Sequence, residues 1–372
     1  MKWNIPDIPE AEEVFRPIYK WYCLVALTML YILVAILLWF TEDSTLIQKA
    51  LYLCLPLLIV GIFFLSIRIH KQYQKEAWAE EKKHIESRWK QWANKKIALL
   101  RNGIYLPQEI SIDGILNDTG GTFHNEVFYL PEDTFKRAIW ECLESLDELL
   151  QGTLLTNIRF YIDSDNYQYK KDCFDYLKKT ANLFQNIIKN DLLWVQENNG
   201  NIIDSWMEDM ADGLHVLISP AINNSSNAES HFTENIIWFI FSNEKSVKDK
   251  KIHIKNYISR GLNIDSTNKA EVSSNLEKFL RYSDVENRAI QYWIDSYSFL
   301  TLEKYELLPY LFSLKTKNIK KSVEKYLGSS PLNMNWLLIA LTTKNLHSKN
   351  DIVIIIYSSD SEYEMNLNII ST

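Results

Sequence analysis

The stretch Trp21–Phe40, WYCLVALTMLYILVAILLWF, contains no charged residue over its whole length. About twenty apolar residues at about 1.5 Å rise per residue match the ~30 Å hydrocarbon core of a bilayer. Trp21 and Phe40 mark the two ends, where aromatic side chains favour membrane–water interfaces. A cleavable signal peptide would have a shorter apolar core after a basic segment, whereas residues 5–15 are acidic. The stretch therefore predicts a transmembrane helix.

A second apolar stretch, Ala50–Ile67, follows a connection that begins at Thr41 and ends at Lys49. It includes Pro56 and Gly61, which transmembrane helices tolerate because neighbouring groups satisfy the backbone. A connection this short predicts a membrane-anchored helical hairpin with both outer ends on one side. A buried helical hairpin of a soluble protein is the alternative.

The distribution of charge predicts the orientation of this hairpin. Residues 68–101, directly after the second stretch, carry ten Lys/Arg against four Asp/Glu, and Arg16 and Lys20 precede the first stretch. Positive charge accumulates on the cytoplasmic side of membrane helices and is attracted to anionic headgroups. The pattern predicts a bacterial inner-membrane protein whose N-terminus and C-terminal domain are cytoplasmic, with membrane lipid as a partner.

Residues 68–101 read as one long juxtamembrane helix that ends at Gly103. Large apolar residues recur along it at a spacing of seven, with one more between: Trp78, Ile85, Trp89, Trp92 and Leu99. This stripe is compatible with a coiled-coil seam in a homo-oligomer, with a helix on the membrane surface, or with packing on the following domain. Intramolecular packing is the favoured interpretation.

The remainder of the chain alternates between strand-like and helix-like patterns, which predicts an α/β domain with a mixed sheet. We find no internal repeat. The predicted domains are a cytoplasmic segment 1–20, the hairpin 21–67, the juxtamembrane helix 68–102 and the α/β domain 103–372. The predicted strands are Ile104–Ile115, Val127–Leu130, Asn157–Ile162, Leu192–Gln196, His215–Ile218, Ile236–Phe241, Trp336–Leu341, Ile352–Tyr357 and Met365–Ile370, the last two as a hairpin. The predicted helices are Pro131–Leu150, Tyr169–Ile188, Leu276–Tyr282, Val285–Ser298 and Lys317–Tyr326.

The sequence lacks the motifs of most cofactor and metal sites. Its ten glycines form no GxGxxG, GxxxxGK[ST] or GxSxG pattern, and its seven histidines form no HExxH pattern. Four cysteines without paired spacing predict neither a disulfide framework nor zinc. Residues 102–372 carry 26 Lys/Arg against 37 Asp/Glu, and such an acidic domain is a poor nucleic-acid binder. We expect no cofactor, no metal and no nucleic-acid partner.

Two acidic groups are candidates for chemistry. The run 204–212, DSWMEDMAD, places Glu208 and Asp212 on one helical face, where they could bind a metal or act as an acid–base pair. Asp163, Ser164 and Asp165 follow a predicted strand, where α/β enzymes often place functional groups. A solvated helix face explains the first group, and turn or capping roles explain the second.

Three further features receive simpler explanations. The segment Gly120–Glu126 contains His124 but is typical of a hairpin turn. Ser219 and His231 flank a polar loop, yet the sequence shows neither a third group nor an oxyanion element for a serine–histidine pair. The lysines of residues 315–321 are typical of a solvated face or of contact with anionic lipid.

The order of these features resembles that of membrane-anchored accessory proteins of type VI secretion effector islands, which include adaptor and immunity proteins. The resemblance rests on the acidic N-terminus, the hairpin, the Trp-rich segment ending RWKQWANKKIALLRNGIYLPQEI and the α/β domain. It implies a protein that binds a cognate toxin or a secretion component without catalysis. It carries no site onto numbered positions.

The sequence thus favours a non-enzymatic, membrane-anchored binding or scaffold protein. Two alternatives stay open: a membrane-tethered enzyme with a degenerate α/β active site, and a defence protein whose hairpin perturbs the membrane. We assign no catalytic residue on the sequence alone.

Overall fold

The structure is a computed structural model of the chain. It describes residues 8–9, 29–33, 36, 46–151, 157–164, 167–195, 202–208, 213–223, 232–243, 247, 252–283, 285, 289–313, 316–321, 323–328, 333–346, 351–358 and 364–372. Its contacts divide it into two compact units, Ile5–Trp89 and a larger unit of Lys90–Thr372 with Met1–Asn4.

The smaller unit contains most of helix α1, Leu46–Ala93, whose last residues belong to the larger one. The helix includes the second predicted span, Ala50–Ile67, and continues without a break into the charged segment after it. Among the residues that the structure describes, no helix is both long enough and apolar enough to cross a bilayer. The transmembrane hairpin in the predicted fold class is therefore wrong.

Only two of the four residues named as membrane anchors belong to the described part of the chain. Pro56 and Gly61 lie within α1. Trp21 and Phe40 lie outside the described residues, as does all of the first predicted span except 29–33 and 36.

The larger unit is an α/β domain, and its described residues form one mixed sheet of eleven strands. The strands are β1 Lys96–Tyr105, β2 Asn157–Ile162, β3 Asp191–Val195, β4 Leu214–Ala221, β5 Asn235–Asn243, β6 Asn256–Ser259, β7 Leu262–Asp265, β8 Ala289–Ile294, β9 Thr316–Lys321, β10 Asp351–Ser358 and β11 Glu364–Ser371. The helices are α2 Ile112–Asn117, α3 Thr134–Leu150, α4 Tyr167–Ala181, α5 Ile202–Glu208, α6 Lys269–Tyr282, α7 Ser296–Lys304, α8 Leu308–Ser313 and α9 Met334–Asn345, with a 3₁₀ turn at Val323–Tyr326.

The sheet repeats one topology twice, although the sequence shows no repeat. From each outer edge inwards the order is β3-β2-β4-β5-β1 in the first half and β9-β8-β10-β11-β6 in the second. In both halves the first three strands of this order are parallel, and the fourth and fifth alternate in direction. β1 pairs antiparallel with β6 and joins the halves. Because this junction is antiparallel, the parallel strands of one half run in the opposite direction to those of the other half. The carboxyl ends of the two sets of strands therefore lie at opposite ends of the sheet along the strand direction.

Alternation along the strands assigns each side chain to one face of the sheet. In β5, Ile237, Phe239 and Phe241 enter one apolar cluster, whereas Ile236 and Ile240 enter the other. The first cluster contains α5 and α9, and the second contains α3 and α4. The first half is therefore covered by helices on both faces of its sheet.

Several predicted elements differ from the observed ones. Residues 336–341 form part of α9 rather than a strand, and Val285–Ser298, a predicted helix, contains strand β8. The juxtamembrane helix ends at Ala93, so Leu99 and Gly103 lie in strand β1.

The predicted helix Lys317–Tyr326 is strand β9 followed by the 3₁₀ turn. Residues 127–130 are not a strand. The strand Asn157–Ile162 and the antiparallel pairing of the last two strands are confirmed.

Gly103 is required where the buried indole of Trp238 lies against strand β1. A Cβ atom at Gly103 would overlap the indole ring, whereas one at Gly121 would meet the Phe123 ring at an ordinary 3.4 Å. We expect Gly103→Ala to reduce the free energy of unfolding by about 1–3 kcal/mol, as overpacked cores do. Gly121→Ala is the control and should be nearly neutral. Equal urea midpoints for the two variants would contradict this packing.

Candidate functional site

The topology points to two places where functional groups would converge. In the first half the chain passes from β2 to its neighbour β3 on one side and then to its neighbour β4 on the other, which makes a switch point between β2 and β4. In the second half it passes in the same way from β8 to β9 and then to β10, which makes a switch point between β8 and β10. In open α/β sheets, ligands bind outside the carboxyl ends of strands at such points. Both carboxyl ends carry buried polar side chains.

The β2–β4 cluster consists of Asp163, Ser219, Asn333 and Trp336. The Trp336 indole N–H donates to Asp163 Oδ2 at 2.6 Å, and Asn333 Nδ2 donates to the backbone oxygen of Ser219 at 2.8 Å and to Ser219 Oγ at 3.2 Å. Ser219 is fully buried. Asn333 and Trp336 belong to the start of α9, so the second half completes this cluster in the first.

The β8–β10 cluster begins with Asp295, which follows β8 and caps helix α7. Its carboxylate accepts from the backbone N–H of Ser298 at 2.6 Å and from Ser358 Oγ at 2.7 Å. Beside it in β10, the half-buried Tyr357 hydroxyl accepts a hydrogen bond from Asn368 Nδ2 at 3.0 Å. Burial, with the nearby charges of two carboxylates, raises the pKa of Tyr357 to about 12.

Asp204 adds a buried carboxyl group to this cluster from helix α5. Only 4% of its surface is exposed, and neither carboxyl oxygen makes a hydrogen bond of good geometry with a described residue. Burial raises its pKa, opposed by the charge of Arg260 and by the backbone N–H of Gly261. Asp204 lies close enough to Tyr357 for its charge to act on that hydroxyl.

The periodicity of α5 explains why Asp204 lies there. Trp206 packs on the sheet, with its ring centroid 4.9 Å from that of His215 and 5.3 Å from that of Phe241. Asp204 and Glu208, four residues apart, share a helical face. Glu208 Oε1 accepts from Nη1 of the buried Arg260 at 3.0 Å.

Arg260 is held by aromatic as well as ionic contact. Its guanidinium lies 4.2 Å from the ring centroid of Trp92, one of the residues of the predicted juxtamembrane stripe. Within the stripe, Leu99 is fully buried in β1, and Trp78 donates to the backbone oxygen of Pro9 at 3.1 Å. The remaining two, Ile85 and Trp89, lie in α1.

The predicted metal or acid–base pair is not assembled in the described part of the chain. Glu208 is the last residue of α5, and Asp212 lies outside the described residues. Across the described residues, no group of three or more His, Cys, Asp or Glu side chains could hold a metal ion.

The other sequence candidates are distributed differently. Ser164 is half-buried beside Asp163, and His124 is exposed on a loop. Asp165 and His231 lie outside the described residues, so the pairing of Ser219 with His231 stays a prediction.

A covalent route through cysteine lacks a suitable thiol in the larger unit. Its two cysteines, Cys142 in α3 and Cys173 in α4, are both buried. Burial raises the pKa of both thiols, that of Cys173 to about 12. A nucleophilic cysteine needs an accessible thiolate and a lowered pKa.

Several solved structures have a similar arrangement, while no family model and no curated protein matches the chain. A type II polyketide ketosynthase in complex with its acyl-carrier protein is 10% identical, with a TM-score of 0.49 over 75% of this chain and 99% of its own. OleA of Xanthomonas campestris is 9% identical, with a TM-score of 0.49 over 76% and 99%.

The peroxisomal 3-ketoacyl-CoA thiolase of Saccharomyces cerevisiae is 8% identical, with a TM-score of 0.47 over 75% of this chain and 98% of its own. It is described as five layers built from two core domains of identical topology. The likeness concerns architecture, and the activities and the carrier-protein complex are those of the other proteins.

These findings correct the predicted function. A membrane-anchored scaffold, adaptor or immunity protein is wrong, because no described helix is long enough and apolar enough to span a bilayer. The inner-membrane location is wrong for the same reason, and membrane lipid as a partner is not supported. A protein partner and homo-oligomerisation stay predictions.

A matched pair of buried serines tests the β2–β4 cluster. Ser219 Oγ is hydrogen-bonded, whereas the equally buried Ser298 Oγ has no hydrogen-bond partner among the described residues. We expect Ser219→Ala to reduce the free energy of unfolding by about 1 kcal/mol, the net value of a typical hydrogen bond. Ser298→Ala should be neutral or stabilising. A larger loss at Ser298 than at Ser219 in urea unfolding would contradict the assignment.

The raised pKa of Asp204 predicts a specific pH dependence of stability. Because the folded pKa exceeds the ordinary value of 3.8, protonation favours the folded state, and this stabilisation is lost as pH rises through the folded pKa. Asp204→Asn does not titrate, so the wild type should lose stability relative to this variant as pH rises from about 3.8. Urea unfolding across pH measures the difference. Asp191→Asn, at an exposed position, is the control. A wild type that gains stability relative to Asp204→Asn as pH rises would contradict the raised pKa of Asp204.

Proposed function

We propose that the larger unit is an enzyme that stabilises an enolate, with Asp204 and Tyr357 as neutral O–H donors to the substrate's carbonyl oxygen. The observation that carries this proposal is the buried carboxyl of Asp204, whose pKa is raised by that burial, beside Tyr357, whose hydroxyl oxygen accepts a hydrogen bond from Asn368. The site lies at the carboxyl ends of parallel strands, where this architecture supports binding.

The Asp204 carboxyl suits the role of a neutral donor. Its burial favours the uncharged acid, and a protonated carboxyl has one O–H to donate. Ketosteroid isomerase, an unrelated enzyme, holds an oxyanion with the same two groups, a protonated aspartic acid and a tyrosine. The charge of Arg260 limits the rise in the pKa of Asp204, but the Arg260 guanidinium already forms an ion pair with Glu208 and a cation–π contact with Trp92.

Tyr357 supplies the second donor. Its hydroxyl oxygen accepts from Asn368, and no described residue accepts its hydrogen, which can therefore be donated to a ligand. A pKa of about 12 keeps the hydroxyl protonated at neutral pH. Two preorganised donors of this kind stabilise negative charge that develops on oxygen in a water-poor site.

The chemistry needs no thiol, in keeping with the buried cysteines. A base removes the proton from the carbon next to the substrate's carbonyl group. The electron pair of the broken C–H bond then moves to the carbonyl oxygen, to which Asp204 and Tyr357 donate hydrogen bonds. Return of a solvent proton to carbon completes the exchange. Glu208, one turn beyond Asp204 on the same face and half exposed, is placed to exchange that proton with solvent.

Binding of 2-naphthol, whose naphtholate oxygen imitates an enolate, tests the two donors. We expect Tyr357→Phe and Asp204→Leu each to weaken binding about tenfold or more, the value of one lost hydrogen bond to a charged group. Asp204→Asn keeps a neutral N–H donor and should bind within about threefold of the wild type. Fluorescence of the bound naphtholate gives the affinities.

Tyr129→Phe is the control, because Tyr129 is 55% exposed. Equal losses in Asp204→Asn and Asp204→Leu would mean that a carboxylate charge is needed, which contradicts a neutral donor. Absence of naphthol binding by the folded wild type would reject the proposed function.

A further inference from the structure

The β2–β4 cluster continues onto strand β5 through a buried asparagine, Asn235. This residue is the first of β5, and it pairs with Ala221, the last residue of β4. Because β4 and β5 are antiparallel, the start of β5 lies at the carboxyl end of β4. Asn235 therefore lies at the same edge of the sheet as Ser219 and Asp163.

The strand register also places Asn235 on the same face of the sheet as Ser219. Ser219 is opposite Ile237, and side chains alternate along a strand, so Asn235 and Ile237 share the face of Ser219. Diagonal neighbours such as Ser219 and Asn235 are roughly 7–8 Å apart in an antiparallel pair. Helix α9 covers this face, and Asn333 Nδ2 lies 3.2 Å from Ser219 Oγ. The two asparagines are thus neighbours of the same serine.

Three amide atoms of these asparagines are buried and have no hydrogen-bond partner among the residues that the structure describes. They are Oδ1 and Nδ2 of Asn235, which is completely buried, and Oδ1 of Asn333, which is 7% exposed. Burial of a polar group without a hydrogen bond costs free energy, and most buried side-chain amides in proteins are hydrogen-bonded. Three such atoms at the carboxyl end of one strand point to a bound group.

The three atoms define the hydrogen-bonding character of that group. Both Oδ1 atoms accept hydrogen bonds, whereas Asn235 Nδ2 donates them. A carboxylate would have no hydrogen for the two oxygens, and an ammonium group would have no acceptor for the nitrogen. A primary carboxamide has two N–H hydrogens and one carbonyl oxygen, so it matches all three atoms.

We propose that Asn235 and Asn333 bind a primary carboxamide group of a ligand at the β2–β4 switch point. The carboxamide forms two parallel hydrogen bonds with the Asn235 amide, and its second N–H donates to Asn333 Oδ1. The Asp163 carboxylate, half-buried at the end of β2, disfavours an anion at this position. The site shares no residue with the β8–β10 cluster and does not depend on the enolate proposal.

Titration of the full chain with propionamide, followed by ligand-observed NMR, tests the site. We expect saturable binding with a Kd on the order of 1 mM, because a ligand of about five non-hydrogen atoms gains little binding energy. Propionate lacks N–H groups, and N,N-dimethylpropionamide keeps only the carbonyl oxygen. Each should bind about tenfold more weakly or less well still. Equal binding of propionate and propionamide would overturn the proposal.

Two variants at Asn235 assign the binding to this site. Asn235→Leu removes all three hydrogen-bonding partners that the side chain offers, and Asn235→Asp keeps its size but removes both N–H donors. Each should weaken propionamide binding about tenfold or more.

Asn256→Leu is the matched control. Asn256 lies in β6, outside the cluster, is 1% exposed, and its Oδ1 also has no hydrogen-bond partner in the described part of the chain. This variant should bind propionamide as the wild type does. Absence of saturable binding by the folded wild type would mean that ordered water satisfies the two asparagines. That result, or an equal loss in Asn256→Leu, would overturn the proposal.

Discussion

Strand β1 is hydrogen-bonded on both sides, and the larger unit depends on this double pairing. On one side it pairs with β5 along almost its whole length, and on the other it pairs with β6 through Leu99. The two halves therefore share one continuous sheet. Because the junction is antiparallel, the polar cluster of each half occupies its own edge of that sheet.

The parts of this fold that follow from sequence are those with a regular apolar pattern. Asn157–Ile162 is β-rich and bounded by turn residues, so its strand is predicted correctly. Trp336–Leu341 is wrongly predicted as a strand, because these residues of α9 are all buried and their apolar pattern therefore shows no helical period. The uncharged N-terminal stretches carry the strongest signal in the sequence, but the second one continues into the charged part of α1, and no described helix is apolar enough over a sufficient length to span a bilayer.

The candidate sites are visible in the sequence only in part. Asp163 and Ser219 lie at strand ends, a position that sequence can suggest, and the structure places both in one cluster. Asp204 stands out only as part of an acidic run, because spacing does not reveal that it is buried while Glu208 reaches solvent. Nothing local in the sequence connects Tyr357 or Arg260 with it. These residues come together because of the strand order, which depends on pairing between strands that are far apart in the sequence.

Each half contributes a helix to the other half's strand ends: α9 supplies Asn333 to Ser219, and α5 supplies Asp204 beside Tyr357. A fragment containing one half would therefore carry acceptors and donors whose counterparts were left on the missing segment. This reciprocity restrains divergence, since a change in either copy of the topology alters the surroundings of a polar group in both. The two copies of the topology need not be similar in sequence, but neither can change without effect on the other.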